Sequence, residues 1–544
     1  MRLIREVEAD NSNFSNGAKT LTPNGSDYTF VLDDSGLYFT KTYFNLKSED
    51  YTKLSNEVYI DLDYSPSFYI AFLYSDQSNQ IDLFSLNETT DFFGKKLASI
   101  VNIFGVDYVE FNETSGKLYA GNKQQQTITE FSIPYIPYFQ IYDQKANDAD
   151  IIERSCYLVD GLNLKKVDVI NRQVEILKSY NTRSPFILKS LTFNNNKRLY
   201  IASREDLGFE EFVLGSNYSI FYAQDLYDPV DILVGRNNEV VTIFNVGEQL
   251  GDGGAAYFFQ AQDNPADTIG VTVQSDLYQG LMSITYNASS QLFYSTHNNT
   301  DLVLVSSTIN GLDPLALIAV GLNPTSIIYN PVNQQVMCLC NESEVYVIEE
   351  FSVVFSFNLP STEVTVINTD PTTGFILAGD RNGEVLLIDP KGNYLGSVFP
   401  NVGEINNIVF FDIRGFELLA IGSEGITIIS APRSKDTQFS RDEKDQSVSL
   451  TVLPEESAST ISLNSDYYAT GFNSGTISIF NRETDTLLKT YSHNNSVLSS
   501  SSLDDYFIFV STDEISFIKK DGSNRYNTSI RSDSWDTVIS GKVI

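Results

Sequence analysis

Tyr467-Tyr-Ala-Thr-Gly-Phe-Asn-Ser-Gly-Thr-Ile-Ser-Ile-Phe480 reads as one phrase: an apolar run, a tight polar turn, and a run in which apolar and small polar residues alternate. Phe375-Ile-Leu-Ala-Gly-Asp-Arg-Asn-Gly-Glu-Val-Leu-Leu-Ile388 repeats it. In both copies the turn carries a glycine, in Ser474-Gly475 and in Asn382-Gly383, which supplies the positive φ that a short hairpin connection needs. Alternation with period two, or a short continuous apolar run, is the signature of a half-buried or buried strand, and no 3.6-residue apolar period is sustained anywhere in the chain.

Weaker copies of the phrase begin at Leu37, Phe68, Leu118, Tyr157, Leu199, Val240, Leu292, Val336, Leu418 and Tyr506. With Phe375 and Tyr467 they form a series whose intervals average about 43 residues, the length of a four-stranded propeller blade (about 40–45 residues). A blade cannot bury both of its faces alone and must stack on neighbours around an axis. More than about eight blades in one ring is outside the usual range, so the series predicts an all-β chain of tandem β-propellers, two rings of about six to seven four-stranded blades. The turn-forming stretches Gly251-Asp-Gly-Gly-Ala-Ala and Gln262-Asp-Asn-Pro-Ala-Asp-Thr interrupt the period. They place the boundary between an N-terminal ring, residues 1–262, and a C-terminal ring, residues 263–544. The terminal segments Met1–Val7 and Asp536–Ile544 are candidates for ring-closing strands.

Ala469-Thr-Gly-Phe-Asn-Ser-Gly-Thr-Ile-Ser-Ile-Phe-Asn481, followed by Thr484-Asp-Thr-Leu-Leu-Lys-Thr and His493, resembles a WD40 blade. Asn323-Pro-Thr-Ser-Ile-Ile-Tyr-Asn-Pro331, leading into Val336 and Glu344-Val-Tyr-Val-Ile, is similar to the looser YVTN-type blade. The resemblance implies the propeller fold and a binding platform; it transfers no functional residue. The chain departs from WD40 in having one Trp-Asp pair, Trp535-Asp536, outside any copy, and only two histidines for a histidine–aspartate network.

Composition narrows the function classes. The 544 residues are 42% apolar, with 31 Tyr and 36 Phe, which suits well-filled cores. Against 70 acidic residues stand 36 basic ones, a net charge of −34. Nucleic acid and anionic lipid need Lys/Arg clusters, and no basic run exceeds Lys165-Lys166 or Lys519-Lys520, so neither is an expected partner. Three cysteines build no disulfide framework; Cys156, Cys338 and Cys340 read as buried small hydrophobes, because no second Cys or His pair joins them as metal ligands. The N-terminus lacks the apolar core of a signal peptide, and no run reaches the length of a membrane span. Sequons such as Asn87-Glu-Thr, Asn112-Glu-Thr, Asn217-Tyr-Ser, Asn287-Ala-Ser and Asn341-Glu-Ser read as turn chemistry.

Propellers host several kinds of enzyme, and each leaves a trace. The Gly-x-Ser-x-Gly elbow of a hydrolase is absent, and one Trp cannot supply repeated quinone-docking tryptophans. His297 and His493 sit in turn-like contexts, His-Asn-Asn-Thr and His-Asn-Asn-Ser, and read as exposed turn residues. Acidic residues are too abundant for a glycosidase pair to be singled out. Asp143-Gln-Lys-Ala-Asn-Asp-Ala-Asp150 gathers oxygen ligands without EF-hand spacing and reads as a solvated loop. Gly251-Asp-Gly-Gly254 lacks the Lys-Ser/Thr of a phosphate loop. No catalytic, cofactor-binding or metal residue is assigned.

The expectation is therefore a non-catalytic double propeller. It would act as a structural or adaptor part of a large assembly, such as a phage or viral particle, cytoplasmic or in the virion, through multivalent contacts with protein subunits. A module recognising a glycan, peptide or small ligand on a propeller face, and a WD40-like scaffold of a eukaryotic complex, are the alternatives. Tyr135, Tyr138 and Phe139 are the candidate aromatic anchors, in a stretch that also suits a core strand.

Overall fold

The computed structural model describes residues 19–529 apart from short stretches, the longest of them 42–51, 246–253 and 431–449. Strands dominate; among the described residues there is no α-helix, only a 3-10 turn at Pro265–Asp267. The strands form four-stranded antiparallel sheets, each almost entirely a meander of consecutive strands. The quoted phrase is the middle hairpin of its sheet: Tyr467–Phe472 pairs with Thr476–Asn481, and Ile376–Asp380 with Val385–Ile388. Middle strands are covered on both faces, as in Glu417–Gly422 and Gly425–Ser430, where every residue is buried. That is why they carry the strongest apolar signal, whereas outer strands such as Val174–Ser179 are mostly exposed.

The chain divides into two compact units, and the division is not the expected one. One unit comprises Met1–Tyr135 and Ala431–Ile544, the other Ile136–Ser430. The boundary expected at 262/263 falls inside a single sheet, because Gly254–Gln260 pairs with Gly270–Ser275 across it. The turn formers there close a long hairpin: Asn264 caps the Pro265–Asp267 turn, its side chain accepting from the Ala266 N–H. The interruption of the period was an enlarged loop, not a junction. The termini offered as closing strands lie outside the described residues.

In the discontinuous unit, described residues form five sheets, and the third is made from both arms of the chain. Tyr108–Asn112, Lys117–Asn122 and Thr127–Phe131 come before the inserted unit, and Leu450–Val452, after it, pairs with Thr127–Thr129. Phe30, Leu32 and Leu37 pack the first sheet on Leu62, Ala71 and Leu73 of the second, while Tyr119 and Ile128 meet Phe472 and Phe480 between the third and fourth.

In the inserted unit, described residues form seven sheets. Their first strands are Asp148–Ile152, Pro185–Phe193, Pro229–Val234, Leu281–Asn287, Pro324–Asn330, Val364–Thr369 and Ile405–Phe411. Each first strand touches the next, and the seventh returns to the first, so the contacts make a closed circuit. The circuit is latched by Ile136–Tyr142, the unit's own N-terminal strand, which supplies the outermost strand of the seventh sheet by pairing with Gly425–Ser430. Around this latch Ile141 and Tyr142 join Leu419, Ile421, Ile426 and Ile428 of the seventh sheet and Ala149, Cys156 and Leu158 of the first in one core. At roughly 1.5–3 kcal/mol for each large side chain buried, the seam is a major part of the unit's stability.

A recurring turn joins first and second strands. In Asn287-Ala-Ser-Ser-Gln291, Asn330-Pro-Val-Asn-Gln334 and Asp370-Pro-Thr-Thr-Gly374 the leading side-chain oxygen accepts from the N–H groups two and three residues on. The fifth residue takes a left-handed φ of 58°, 59° and 76° in turn. Asn287, a sequon asparagine, is thus buried turn chemistry.

Candidate functional site

The first strands of the inserted unit run side by side without a backbone ladder, so their polar side chains bridge the gaps. Asp148 accepts from Leu188 N–H at 2.9 Å and Asp150 from Ser190 N–H at 2.7 Å, both on the neighbouring first strand. Asp231 accepts from Ser283 Oγ–H at 3.0 Å and Ile284 N–H at 3.1 Å. Asn368 donates to the Ile408 carbonyl at 2.7 Å, Thr369 to that of Tyr329 at 3.2 Å, and Asn407 to Asp148 Oδ1 at 2.6 Å, closing the circuit. The discontinuous unit uses the same device: Asp61 and Asp63 accept from the N–H groups of Val109 and Phe111. Such seams need an acceptor or amide at alternate positions of a strand, which explains the acidic first strands.

Inside the circuit lies a cavity of about 430 Å³. Its lining includes the polar residues Asp150, Lys189, Asn368 and Asn407 and, with other apolar groups, Tyr286, Tyr329, Pro331 and Pro371. Lys189 Nζ stands 3.6 Å from Asp148 Oδ2. Burial works against its charge, but Asp148, Asp231 and Asp150 outweigh burial and hold the ammonium above its ordinary range. Burial pushes the Asp150 and Asp231 carboxyls up, and Lys189 offsets only part of that. Tyr286 is braced by Phe293, ring centroids 4.7 Å apart, and Tyr329 by a hydroxyl contact with Ser289 at 3.0 Å.

Several residues singled out in the sequence fall elsewhere. Tyr135 is buried, 2% exposed, and so is packed inside the protein instead of being presented as an anchor. Tyr138 and Phe139 lie on the latch strand, with their side chains outside the described residues. His297 is a buried strand residue, not an exposed turn: it ends Leu292–His297 and contacts Ser295 Oγ at 3.4 Å. His493 lies outside the described residues. Asp148 and Asp150, read as part of a solvated loop, belong to a strand and bind backbone N–H groups. Cys156, Cys338 and Cys340 are buried and free. Among the described residues no set of His, Cys, Asp or Glu suits a metal, and no helix is long and apolar enough to cross a membrane. The cavity-lining residues escaped sequence reasoning because they are spread over seven repeats; the signal was the polar residues set into the first strands, such as Asp148 and Asp150, Asp231 and Asn407.

No protein-family model matches the chain, and no curated protein matches it. Among solved structures, the computationally designed Ika8 protein is 11% identical over 71% of this chain and 97% of its own, with a TM-score of 0.33. Saccharomyces cerevisiae Sqt1 is 12% identical over 69% and 96%, with a TM-score of 0.36. A chain of the mitotic checkpoint complex is 9% identical over 54% and 93%, with a TM-score of 0.43. At these scores the fold description rests on the strand pairing alone.

Proposed function

We propose that both units are β-propellers, the inserted one with seven blades closed by Ile136–Tyr142, and that the protein is a non-catalytic structural or adaptor component held among protein subunits of a larger assembly, such as a virus particle. The observation that carries this reading is the row of exposed apolar side chains on outermost strands. Ile176 is 59% exposed on Val174–Ser179, Leu315 is 52% exposed on Asp313–Ala319, and Val271, Leu317 and Val354 stand out on the same kind of strand. These strands end their sheets, so each also offers an open backbone edge beside its apolar side chains. Repeated around a stiff ring, weak edge contacts add up multivalently. The acidic surface favours neighbours that are neutral or basic at their contact faces.

The test is to purify the protein untagged from its native source and weigh it by native mass spectrometry. Fixed stoichiometry with partner subunits, lost on replacing Ile176 and Leu315 by Lys, is the expected result. A free monomer with no partner would overturn the reading.

A further inference from the structure

The axial cavity has properties that an architectural role does not require. A ring can be filled by side chains, yet here about 430 Å³ stays open, within the roughly 300–1,000 Å³ typical of small-ligand sites. Its lining mixes two kinds of group: tyrosines and prolines, and charged and amide side chains. Three carboxyl groups, Asp148, Asp150 and Asp231, act on a single ammonium, Lys189, and Asp150 lines the cavity beside it. Hydrogen bonds from backbone and side chains hold each carboxyl group in place, so the acceptor oxygens are positioned before any ligand arrives. Burial works against ionised Asp150 and Asp231, so a cation placed beside them is favoured and an anion is not, even beside Lys189.

We propose that this cavity binds an organic cation, an amine or guanidine, with its charged group beside Asp150 and its apolar or planar body against Tyr286, Tyr329, Pro331 and Pro371. Aromatic side chains add cation–π attraction to the carboxylate's pull. The cation is either a free small molecule or a lysine or arginine side chain of a partner. The proposal rests on the closed circuit of the inserted unit and is independent of the assembly reading.

Isothermal titration of the full chain at low ionic strength tests it, with agmatine, tyramine and a short Arg/Lys-containing peptide as cations and 4-hydroxyphenylacetate as the matched anion. At least one cation binds saturably and the anion does not. Binding by the amines identifies a free ligand; binding by the peptide alone identifies a partner side chain. Asp150→Asn weakens binding about tenfold or more, the worth of one charged hydrogen bond. Lys189→Met, which removes the competing cation, tightens it. Opposite responses of two variants in one seam cannot both come from misfolding. Saturable binding of the anion, no binding of any cation to the folded chain, or equal weakening in both variants would overturn the proposal.

Discussion

The guanidinium of Arg198 lies 2.9 Å from the carboxylate of Glu211, and neither side chain is exposed to solvent. Arg198 also donates to the carbonyls of Gln262 and, at 3.0 Å, Asp263, while Tyr222 donates to Glu211 at 2.9 Å and lies 3.1 Å from the Pro265 carbonyl. The pair therefore clamps the enlarged loop Gln262–Thr268 onto the neighbouring sheet. Burial pushes the Glu211 carboxyl up, and Arg198 and Tyr222 pull against it. Removing one partner strands the other charge, so Arg198→Met or Glu211→Leu alone lowers stability by about 3–5 kcal/mol. The double substitution costs less than either single one, because no buried charge is left. Chemical denaturation of all four proteins closes the cycle.

The latch makes a second prediction. A Cβ on Gly425 would stand 2.4 Å from the carbonyl oxygen of Tyr142 on the latch strand, a backbone atom that cannot turn aside. Gly425→Val forces the two strands apart and costs about 1–3 kcal/mol by overpacking. Limited proteolysis would then cut near 136–142 in the variant and not in the parent.

These two sites mark what the sequence made legible. The middle hairpins were visible because strands such as Gln335–Cys340 are buried from Val336 onward and flanked by turn residues such as Asn341. All but Leu37 of the copies lead into the second strand of a described sheet, as Phe68, Tyr157 and Leu199 do. Which hairpins share a unit was not legible. Thr127–Phe131 and Leu450–Val452 carry no mark that they pair, because antiparallel pairing is set by geometry between distant segments and not by local pattern. The cavity was hidden for the same reason: Asp150 and Asn407 are ordinary polar strand residues until the circuit closes and brings Asn407 onto Asp148.

Turn chemistry gives a third prediction. Asn330 is fully buried, its Oδ1 accepts from Val332 N–H at 3.0 Å, and its Nδ2 donates to the Gly374 carbonyl at 2.9 Å. Asn330→Ala leaves those groups unpaired and costs about 1–3 kcal/mol. Asn330→Asp keeps the acceptor but loses the donor and places a charge in a buried site, so it is no milder. Thermal unfolding of the two variants checks the order.

The three cysteines report on integrity. Burial pushes the Cys156 and Cys338 thiols up, and the Cys338 and Cys340 sulfurs lie 3.8 Å apart without a bond. All three are buried and out of reach, so none reacts with a thiol reagent in the native protein. All three react after unfolding in denaturant. Labelling of a thiol in native buffer would place that cysteine at a surface.

Alkaline pH should unfold this protein through its tyrosines. Burial, reinforced by nearby carboxylates, holds the hydroxyls of Tyr59, Tyr108, Tyr200 and Tyr222 well above the ordinary phenol value of about 10. Above that value the unfolded chain releases protons that the folded chain keeps. Each raised group therefore contributes stability that is complete below about pH 10 and is lost as pH rises further, by about 1.4 kcal/mol per pH unit. Lys189, also held above its ordinary range, acts in the same direction. The melting temperature falls steeply above about pH 10, and the phenolate absorbance of the buried tyrosines rises together with loss of structure instead of before it. Tyr108→Phe, which removes one such proton, makes the fall shallower by one group's share; an unchanged slope would mean that Tyr108 ionises freely in the folded state.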